Sequence, residues 1–415
     1  MSTPVAAALA RVVGVGAPVA FTAYDGSKAG PADAEITVHI RSVDALRYAV
    51  TAPGELGLAR AYISGKLEVD GDVYTMLRLV TGDNMGDLSW SERLSVLRDL
   101  GPGVLRPIAP PPEEVLARWR LGLRHGRRRD ADAIYRHYDV SNRFYEMVLG
   151  PTMLYTCAVY PTLESSLEEA QTEKVDLVCR KLGLKPGMRL LDVGCGWGSM
   201  VRHAAREYGV RALGVTLSKQ QAQWAQARIE ADGLSDLAEV RHGDYRDVAE
   251  TGFDAISSIG LTEHVGPGQL PAYARQLANA LKPEGRLLNH CITQPHSHAP
   301  ATKKRGFIGR YVFPDGELST PGAIVGALHD NGFEVRHEEN LREHYAMTLR
   351  DWCRNLRDNW DEAVAEAGIG RARVWELYMA GSRLGFELGR IQLHQVLCTK
   401  TTPEGSAGFP LRPDW

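Results

Sequence analysis

The chain has 415 residues, 44% apolar and 24% charged, with a formal net charge of −3, a balance that fits a globular protein with more than one core. So small a charge offers no global attraction to nucleic acid, and none is expected as a partner. Six cysteines (157, 179, 195, 291, 353 and 398) form no Cys-x-x-Cys pair, which favours a reducing cytoplasm over a disulfide scaffold.

The N-terminus, Met1 to Ala20, is rich in Ala and Val with Arg11 as its one charge, and it reads as a helix packed on the first domain rather than a signal peptide. From about 18 to 108, short apolar runs such as Ile36-Thr-Val-His-Ile40 and Gly65-Lys-Leu-Glu-Val-Asp-Gly71 alternate with turn signals. That pattern predicts a small α+β domain over 1–108 with no visible catalytic constellation. Pro107-Ile-Ala-Pro-Pro-Pro112 opens a linker over 109–135. Residues 118–129 carry six arginines, Trp119 and no acid. This run fits either a solvated charged helix or a basic surface for anionic phospholipid headgroups. No segment approaches the roughly 20 apolar residues of a spanning helix, so membrane contact is expected to be peripheral, at the inner face of the cell membrane.

From 164 onward a βα alternation sets in, and the next domain is read over 136–402, with a tail over 403–415. Leu167 to Leu182 has helical spacing and ends at Gly183. Strands are expected at Met188 to Val193, Ala212 to Leu217, Ala238 to His242, Phe253 to Gly260 and Arg286 to Ile292. Helices are expected at Ser199 to Tyr208, Lys219 to Asp232 and Leu270 to Leu281, with further helical segments at Leu318 to His329, Thr348 to Asn359 and Val374 to Leu388. Such alternation predicts an α/β fold with a mainly parallel sheet, whose ligand lies beyond the C-terminal strand ends. Gly194, Thr216, Asp244, Glu263 and His290 then share one rim.

Leu190-Leu-Asp-Val-Gly-Cys-Gly-Trp-Gly198 is the most informative stretch. Glycines after an apolar strand let the backbone turn sharply and bring a ligand against its amides. A dinucleotide fingerprint needs its third glycine where Ser199 stands. No carboxylate ends the second strand, where Gly214-Val-Thr-Leu-Ser218 and Gln221 stand instead, which argues against an ordinary NAD site. At the third strand end, Gly243-Asp244-Tyr245 offers a carboxylate to an adenine amino group and a ring for stacking; Asp244 fits a plain turn residue as well. With Leu281-Lys-Pro-Glu-Gly285, these segments follow the order and spacing of a Rossmann-like class I methyltransferase.

Beyond that core, the chain resembles the cyclopropane fatty acyl phospholipid synthase family over nearly its whole length. The matches are His137-Tyr-Asp-Val-Ser-Asn142, Tyr155-Thr-Cys-Ala158, Leu167-Glu-Glu-Ala-Gln171, Asp192-Val-Gly-Cys-Gly-Trp-Gly198, Glu263-His-Val-Gly266, Tyr311-Val-Phe-Pro-Asp-Gly316 and Tyr345 before Thr348-Leu-Arg-Asp-Trp352. The resemblance implies that S-adenosylmethionine donates a methyl group to a cis double bond in a phospholipid acyl chain. It implies cofactor contacts at Tyr138, Tyr155, Thr156, Val193, Gly194, Cys195, Gly196, Gly198, Thr216, Leu217, Gln221, Asp244 and Tyr245. It also implies a bound bicarbonate cradled by Cys157, Glu263, His290, the backbone of Ile292, and Tyr345. No His-x-x-x-His or Cys-x-x-Cys pair frames these residues, so no metal is expected.

The residue types suit that chemistry. Aromatic faces stabilise a carbocation through their quadrupoles, for which Tyr155, Tyr311 and Phe313 are candidates; core packing is the alternative use of such rings. Ser257-Ser-Ile-Gly-Leu-Thr-Glu-His264 and Asn289-His-Cys-Ile-Thr293 most resemble the actinobacterial branch that makes a 10-methylene product from oleoyl chains. A homodimer and a reductase of the methylene product are the expected partners besides the bilayer. A small-molecule methyltransferase and a non-catalytic lipid-binding protein are the competing readings. The first leaves the bicarbonate set unexplained, and the intact glycine loop argues against the second.

Overall fold

The computed structural model describes residues 4–14, 17–52, 54–81, 95, 98, 100–115, 126, 140–296 and 306–415. Tyr138 and the arginines of 118–129 lie outside them. Internal contacts divide the chain into two units: Met1–Trp119, Lys303–Pro314 and Leu356–Leu384 form one, and Arg120–Thr302, Asp315–Asn355 and Gly385–Trp415 the other. A single linear boundary near 108 or 136 therefore does not describe the chain.

The first unit holds a four-stranded sheet: β1 (Val19–Ala23), β2 (Lys28–Ala29), β3 (Ile36–Ile40) and β4 (Leu67–Asp70), in the order β2-β1-β3-β4. The expected N-terminal helix covers only Val5–Val13, because Gly14 at φ 111° ends it and β1 begins at Val19. Later segments join this unit through side chains that local periodicity does not register. The Tyr62 hydroxyl donates to the Glu376 carboxylate, and Arg373 pairs with Glu68 at 3.3 Å.

The second unit is built on a seven-stranded sheet. Its strands are β5 (Arg189–Val193), β6 (Arg211–Thr216), β7 (Ala238–His242), β8 (Phe253–Ile259), β9 (Leu281–Thr293), β10 (Glu334–Asn340) and β11 (Gln392–Thr399). They lie in the order β10-β11-β9-β8-β5-β6-β7. From β7 to β9 every pairing is parallel; β11 runs antiparallel to β9, and β10 antiparallel to β11. β5 shows why both faces are covered. Leu190 packs into one apolar cluster with Val178, Val201 and Ala225, whereas Leu191 and Val193 pack into another with Tyr273 and Leu277. This is the two-residue period of a strand buried on both sides.

Most expected elements fall within a few residues of their observed bounds. The Leu167–Leu182 helix starts at a Ser166–Glu169 capping box and stops at left-handed Gly183. The last parallel strand starts earlier than expected, at Leu281, because the pairing with β8 shifts register between Phe253 and Ala255 and takes up the Lys282-to-Gly285 turn. β10 and β11 carry no such forewarning. β10 reads Glu-Val-Arg-His-Glu-Glu-Asn, the polar signature of an edge strand.

Candidate active site

At the carboxyl end of β5 the chain turns through Gly194, Gly196 and Gly198, at φ 78°, 54° and 74°. The amides of Gly194 and Cys195 both donate to the Val215 carbonyl at 3.0 Å, tying the loop to β6. Gly214 lies beneath this loop: a Cβ there would sit 2.8 Å from Cys195 Sγ and from Val201 Cγ2. The loop can thus pack on β6 only because the strand lacks a side chain at that point. A Cβ on Gly196, in contrast, meets nothing within 4 Å.

That open side is a cleft. Of the expected cofactor residues, Gly194, Gly196, Thr216, Leu217, Gln221 and Tyr245 line it. The Thr216 hydroxyl donates to Gln221 Oε1 at 2.8 Å, and the Ser218 side chain caps the following helix. Sequence reading missed Gly260, Leu261, His264 and Tyr273 in the lining; the only cue was that Gly260 directly follows β8. Val193, Cys195, Gly198, Tyr155 and Thr156 lie outside the lining, the first three within or beside the turn. Asp244 serves the turn rather than the cleft wall. Its carboxylate caps a short 3-10 helix by accepting from the Arg246 amide at 2.9 Å, and also takes the Arg246 Nε at 2.8 Å. Arg246 and Tyr245 face the cleft instead.

Of the expected catalytic residues, His290 and Ile292 lie on β9, between β8 and β11, and Glu263 follows β8. Gly260 at the end of β8 donates its amide to the His290 carbonyl at 2.8 Å. Glu263, on the short Thr262–Val265 helix, takes the Ile292 amide on Oε1 at 2.8 Å. The Ile292 N–H expected to face an anion is thus engaged by Glu263 here. Cys157 is fully buried, with its Sγ 3.1 Å from the Ala158 carbonyl and 3.8 Å from the Leu341 carbonyl. One turn on, Tyr345 donates its amide to that carbonyl at 3.2 Å, and Leu341 donates its own amide to Leu393 of β11. Since Leu393 is the register partner of Ile292, one chain of contacts joins Glu263, Ile292, Cys157 and Tyr345, and His290 lies two residues before Ile292 on the same strand.

Among the described residues, two buried atoms of this set find no hydrogen-bond partner: Glu263 Oε2 and His290 Nε2. Buried polar atoms in native proteins are nearly always satisfied, so each of these two calls for an explanation, and a bound ligand is one. Burial pushes the Glu263 carboxyl up to about 7, against the opposing effect of the Ile292 amide. Burial also drives His290 well below the usual imidazole range, helped by Lys174 and Lys181, and keeps it neutral. The Cys157 thiol is pushed up by burial and is no thiolate nucleophile.

Lys174 and Lys181 were not foreseen. They lie seven residues apart on the Leu167–Leu182 helix, and both are wholly buried. Burial lowers Lys174 to about 8, and the nearby Asp192 opposes that fall. Its Nζ donates to the Thr156 hydroxyl at 3.0 Å. Asp192 is itself raised to about 6 by burial while accepting from Ser257 at 2.6 Å. Lys174→Met should destabilise the protein by about 3 kcal/mol at pH 7, where Lys174 and Asp192 are both charged, because it leaves Asp192 charged and uncompensated. The loss should shrink below pH 6 as Asp192 takes up a proton. Urea unfolding at both pH values checks this, and an equal or absent loss at the two would refute it.

Aromatic rings border the same region. Tyr345 stacks on Phe386 at 4.5 Å and meets Trp352 edge-on at 6.1 Å; Trp352 lies 5.5 Å from Tyr155. Tyr311 and Phe313, read from sequence as candidates to stabilise a cation, belong instead to the first unit. There the Tyr311 hydroxyl donates to buried Glu114 at 3.1 Å and Phe313 packs edge-on against Tyr378. Among the described residues, no cluster of His, Cys, Asp and Glu could hold a metal ion.

A glycine-turned strand end opening on a cleft, in a mainly parallel seven-stranded sheet with helices on both faces, is the arrangement of a class I S-adenosylmethionine-dependent methyltransferase. Comparison with known proteins narrows this. Residues 125–396 match the family described as Mycolic acid cyclopropane synthetase, and the chain belongs to that family of S-adenosylmethionine-dependent lipid methyltransferases and cyclopropane synthases. It is 56% identical over 407 residues to "Probable fatty acid methyltransferase Rv3720" of Mycobacterium tuberculosis, covering 96% of this chain and 95% of that protein. A Pseudomonas putida protein, "Probable fatty acid methyltransferase", is 38% identical, with coverage of 95% and 94%. Among solved structures, the cyclopropane synthase MmaA2 from Mycobacterium tuberculosis superposes with a TM-score of 0.62 at 33% identity, over 66% of this chain and 98% of that one. Mycolic acid cyclopropane synthase CmaA1, solved with SAH and CTAB, gives 0.61 at 33% identity, over 65% and 97%.

Proposed function

We propose that this protein methylates the cis double bond of an oleoyl-type phospholipid acyl chain and releases a 10-methylene acyl product. The observation that carries this reading is the pair of unpartnered buried atoms, Glu263 Oε2 and His290 Nε2, on the rim of a methyltransferase sheet. A methyl transfer to an amine needs no such dry acid–imidazole pair, whereas quenching a carbocation without letting water add to it does. The fatty acid methyltransferase descriptions of the two relatives point to the same substrate class.

S-adenosylmethionine would supply an electrophilic methyl group and leave as a neutral thioether. Attack by the alkene leaves a cation on the neighbouring carbon. A 1,2-hydride shift and loss of one proton then give the methylene, and no oxidant or reductant is needed. Loss of a proton from the new methyl group before any hydride shift would close a cyclopropane ring instead, which is the alternative outcome. Bicarbonate fits the residues present and would supply the base. A neutral imidazole can donate from Nε2, and a carboxyl raised to about 7 keeps a share of its protons for donation from Oε2. Tyr155, Trp352 and Tyr345 supply the aromatic faces.

Among the described residues no helix is long and apolar enough to cross a membrane, and we place contact with the bilayer surface at the arginine-rich run of 118–129. The test is incubation with S-adenosylmethionine and dioleoyl phospholipid vesicles, with mass spectrometry of the acyl chains. Vesicles with and without anionic lipid, at low and high salt, and buffers with and without bicarbonate complete it. The expected result is a one-carbon gain as a methylene, faster on anionic vesicles at low salt. A ring would select the cyclopropane alternative. No lipid product despite cofactor binding would overturn the reading.

A further inference from the structure

His290, Gln395 and Glu339 form one row across three strands. His290 of β9 is the register partner of Gln395 of β11, and Gln395 is the register partner of Glu339 of β10. Directly opposed residues share a face of the sheet, and on this face the Leu167–Leu182 helix sets Lys181. The Lys181 Nζ pairs with the Glu339 carboxylate and donates to Gln395 Oε1 at 2.7 Å. The other end of that amide, Nε2, lies 3.3 Å from His290 Nδ1. Lys181, Gln395 and His290 are all buried.

The hydrogen-bonding roles follow from chemistry alone. An ammonium group has three donors and no acceptor, so the Gln395 atom it touches must be the carbonyl oxygen. The atom facing His290 is then the amide NH2, which only donates. His290 Nδ1 must therefore accept, and in a neutral imidazole this puts the single proton on Nε2.

We propose that Gln395, anchored by Lys181, is a positioning residue that locks His290 in its Nε2–H tautomer, so that His290 enters the reaction as a hydrogen-bond donor and not as the base. The proposal rests on the reading of Glu263 and His290 as the reaction site. Nε2 is the atom left unpartnered there, and a nitrogen already carrying its proton cannot collect another from the substrate while the ring stays neutral. The ring is held neutral by burial and by two cations on its own side, Lys174 and Lys181. Proton removal then falls to an acceptor held by His290 and Glu263.

The test is long-range 1H–15N correlation on the full-length protein with 15N-labelled histidine, with His290 assigned by the signal lost in His290→Asn. Wild type should show a protonated Nε2 and an unprotonated Nδ1. Gln395→Glu keeps the shape but places a second acceptor against Nδ1, which should move the proton to Nδ1. Lys181→Met frees the amide to turn and should give a mixture of tautomers. Lipid methylation by Gln395→Glu should fall ~10- to 100-fold, by analogy with the cost of losing the outer partner of a metal-bound histidine, with cofactor affinity unchanged. A wild-type Nδ1–H form or imidazolium, or an unchanged tautomer in either variant, would overturn the proposal. If the tautomers behave as expected but no lipid is methylated, the lock stands and the substrate reading fails.

Discussion

Glu263→Gln is expected to abolish most lipid methylation while making the protein more stable in alkaline buffer. The glutamine still accepts the Ile292 amide, now held at 2.8 Å by Oε1, so the local fold is kept. Only the titratable oxygen is lost. Turnover should fall on the order of 10²- to 10⁴-fold, the usual contribution of a group that handles a proton, with cofactor affinity intact because Glu263 does not line the cofactor cleft.

The stability gain has a definite pH window. Burial raises this carboxyl from 4.5 to about 7, so the folded protein holds the proton more tightly than the unfolded chain. Stability from this group is greatest below pH 4.5 and falls as pH rises toward 7. Above that it stays lower by roughly 3 kcal/mol. Glutamine cannot ionise and escapes the loss. Denaturant unfolding should show the variant ahead of wild type at pH 8 and level with it at pH 4.5. A variant that keeps turnover, or gains equally at both pH values, would remove Glu263 from the proposed role.

Gly196→Val is expected to cut S-adenosylmethionine affinity ~100-fold or more, about 2.7 kcal/mol of binding, while leaving a folded protein. The new side chain would meet no protein atom within 4 Å and would project from the loop that lines the cleft. At φ 54° a β-branched residue also carries backbone strain of about 1–3 kcal/mol. Gly214→Ala makes the opposite case. Its methyl would press on Cys195 and Val201 at 2.8 Å, so it should lower the unfolding midpoint by more than Gly196→Val does. Calorimetric titration and thermal unfolding of both variants separate ligand approach from packing. Wild-type affinity in Gly196→Val would discard the loop as the cofactor site.

The contrast between those two glycines also shows how far the sequence reaches. Gly194, Gly196 and Gly198 are legible because a turn of positive φ after an apolar strand is a local requirement that few other residues meet. The capped Leu167–Leu182 helix and strands β5 to β8 are legible for the same reason: their apolar periods and caps are written within a dozen residues. Glu263 and His290 follow from their positions at strand ends, once the strands are known. Asp244 was legible only as two alternatives, and the structure uses it to cap a turn and pair with Arg246.

By itself, then, the sequence determined the methyltransferase core, the glycine loop and the residues at the parallel strand ends, since each depends on neighbours close along the chain. Tertiary structure alone decided the rest. Tyr311 and Phe313 were drawn into the first unit by side-chain partners such as Glu114 and Tyr378. Lys181 and Gln395 are 214 residues apart, and Gln395 and His290 are 105 apart. They meet only because an antiparallel register aligns β11 with β9 while a helix covers that face. Such a register cannot be read within one strand; it depends on how the apolar faces of two strands far apart in the chain align, since a one-residue slip would turn every side chain to the other face.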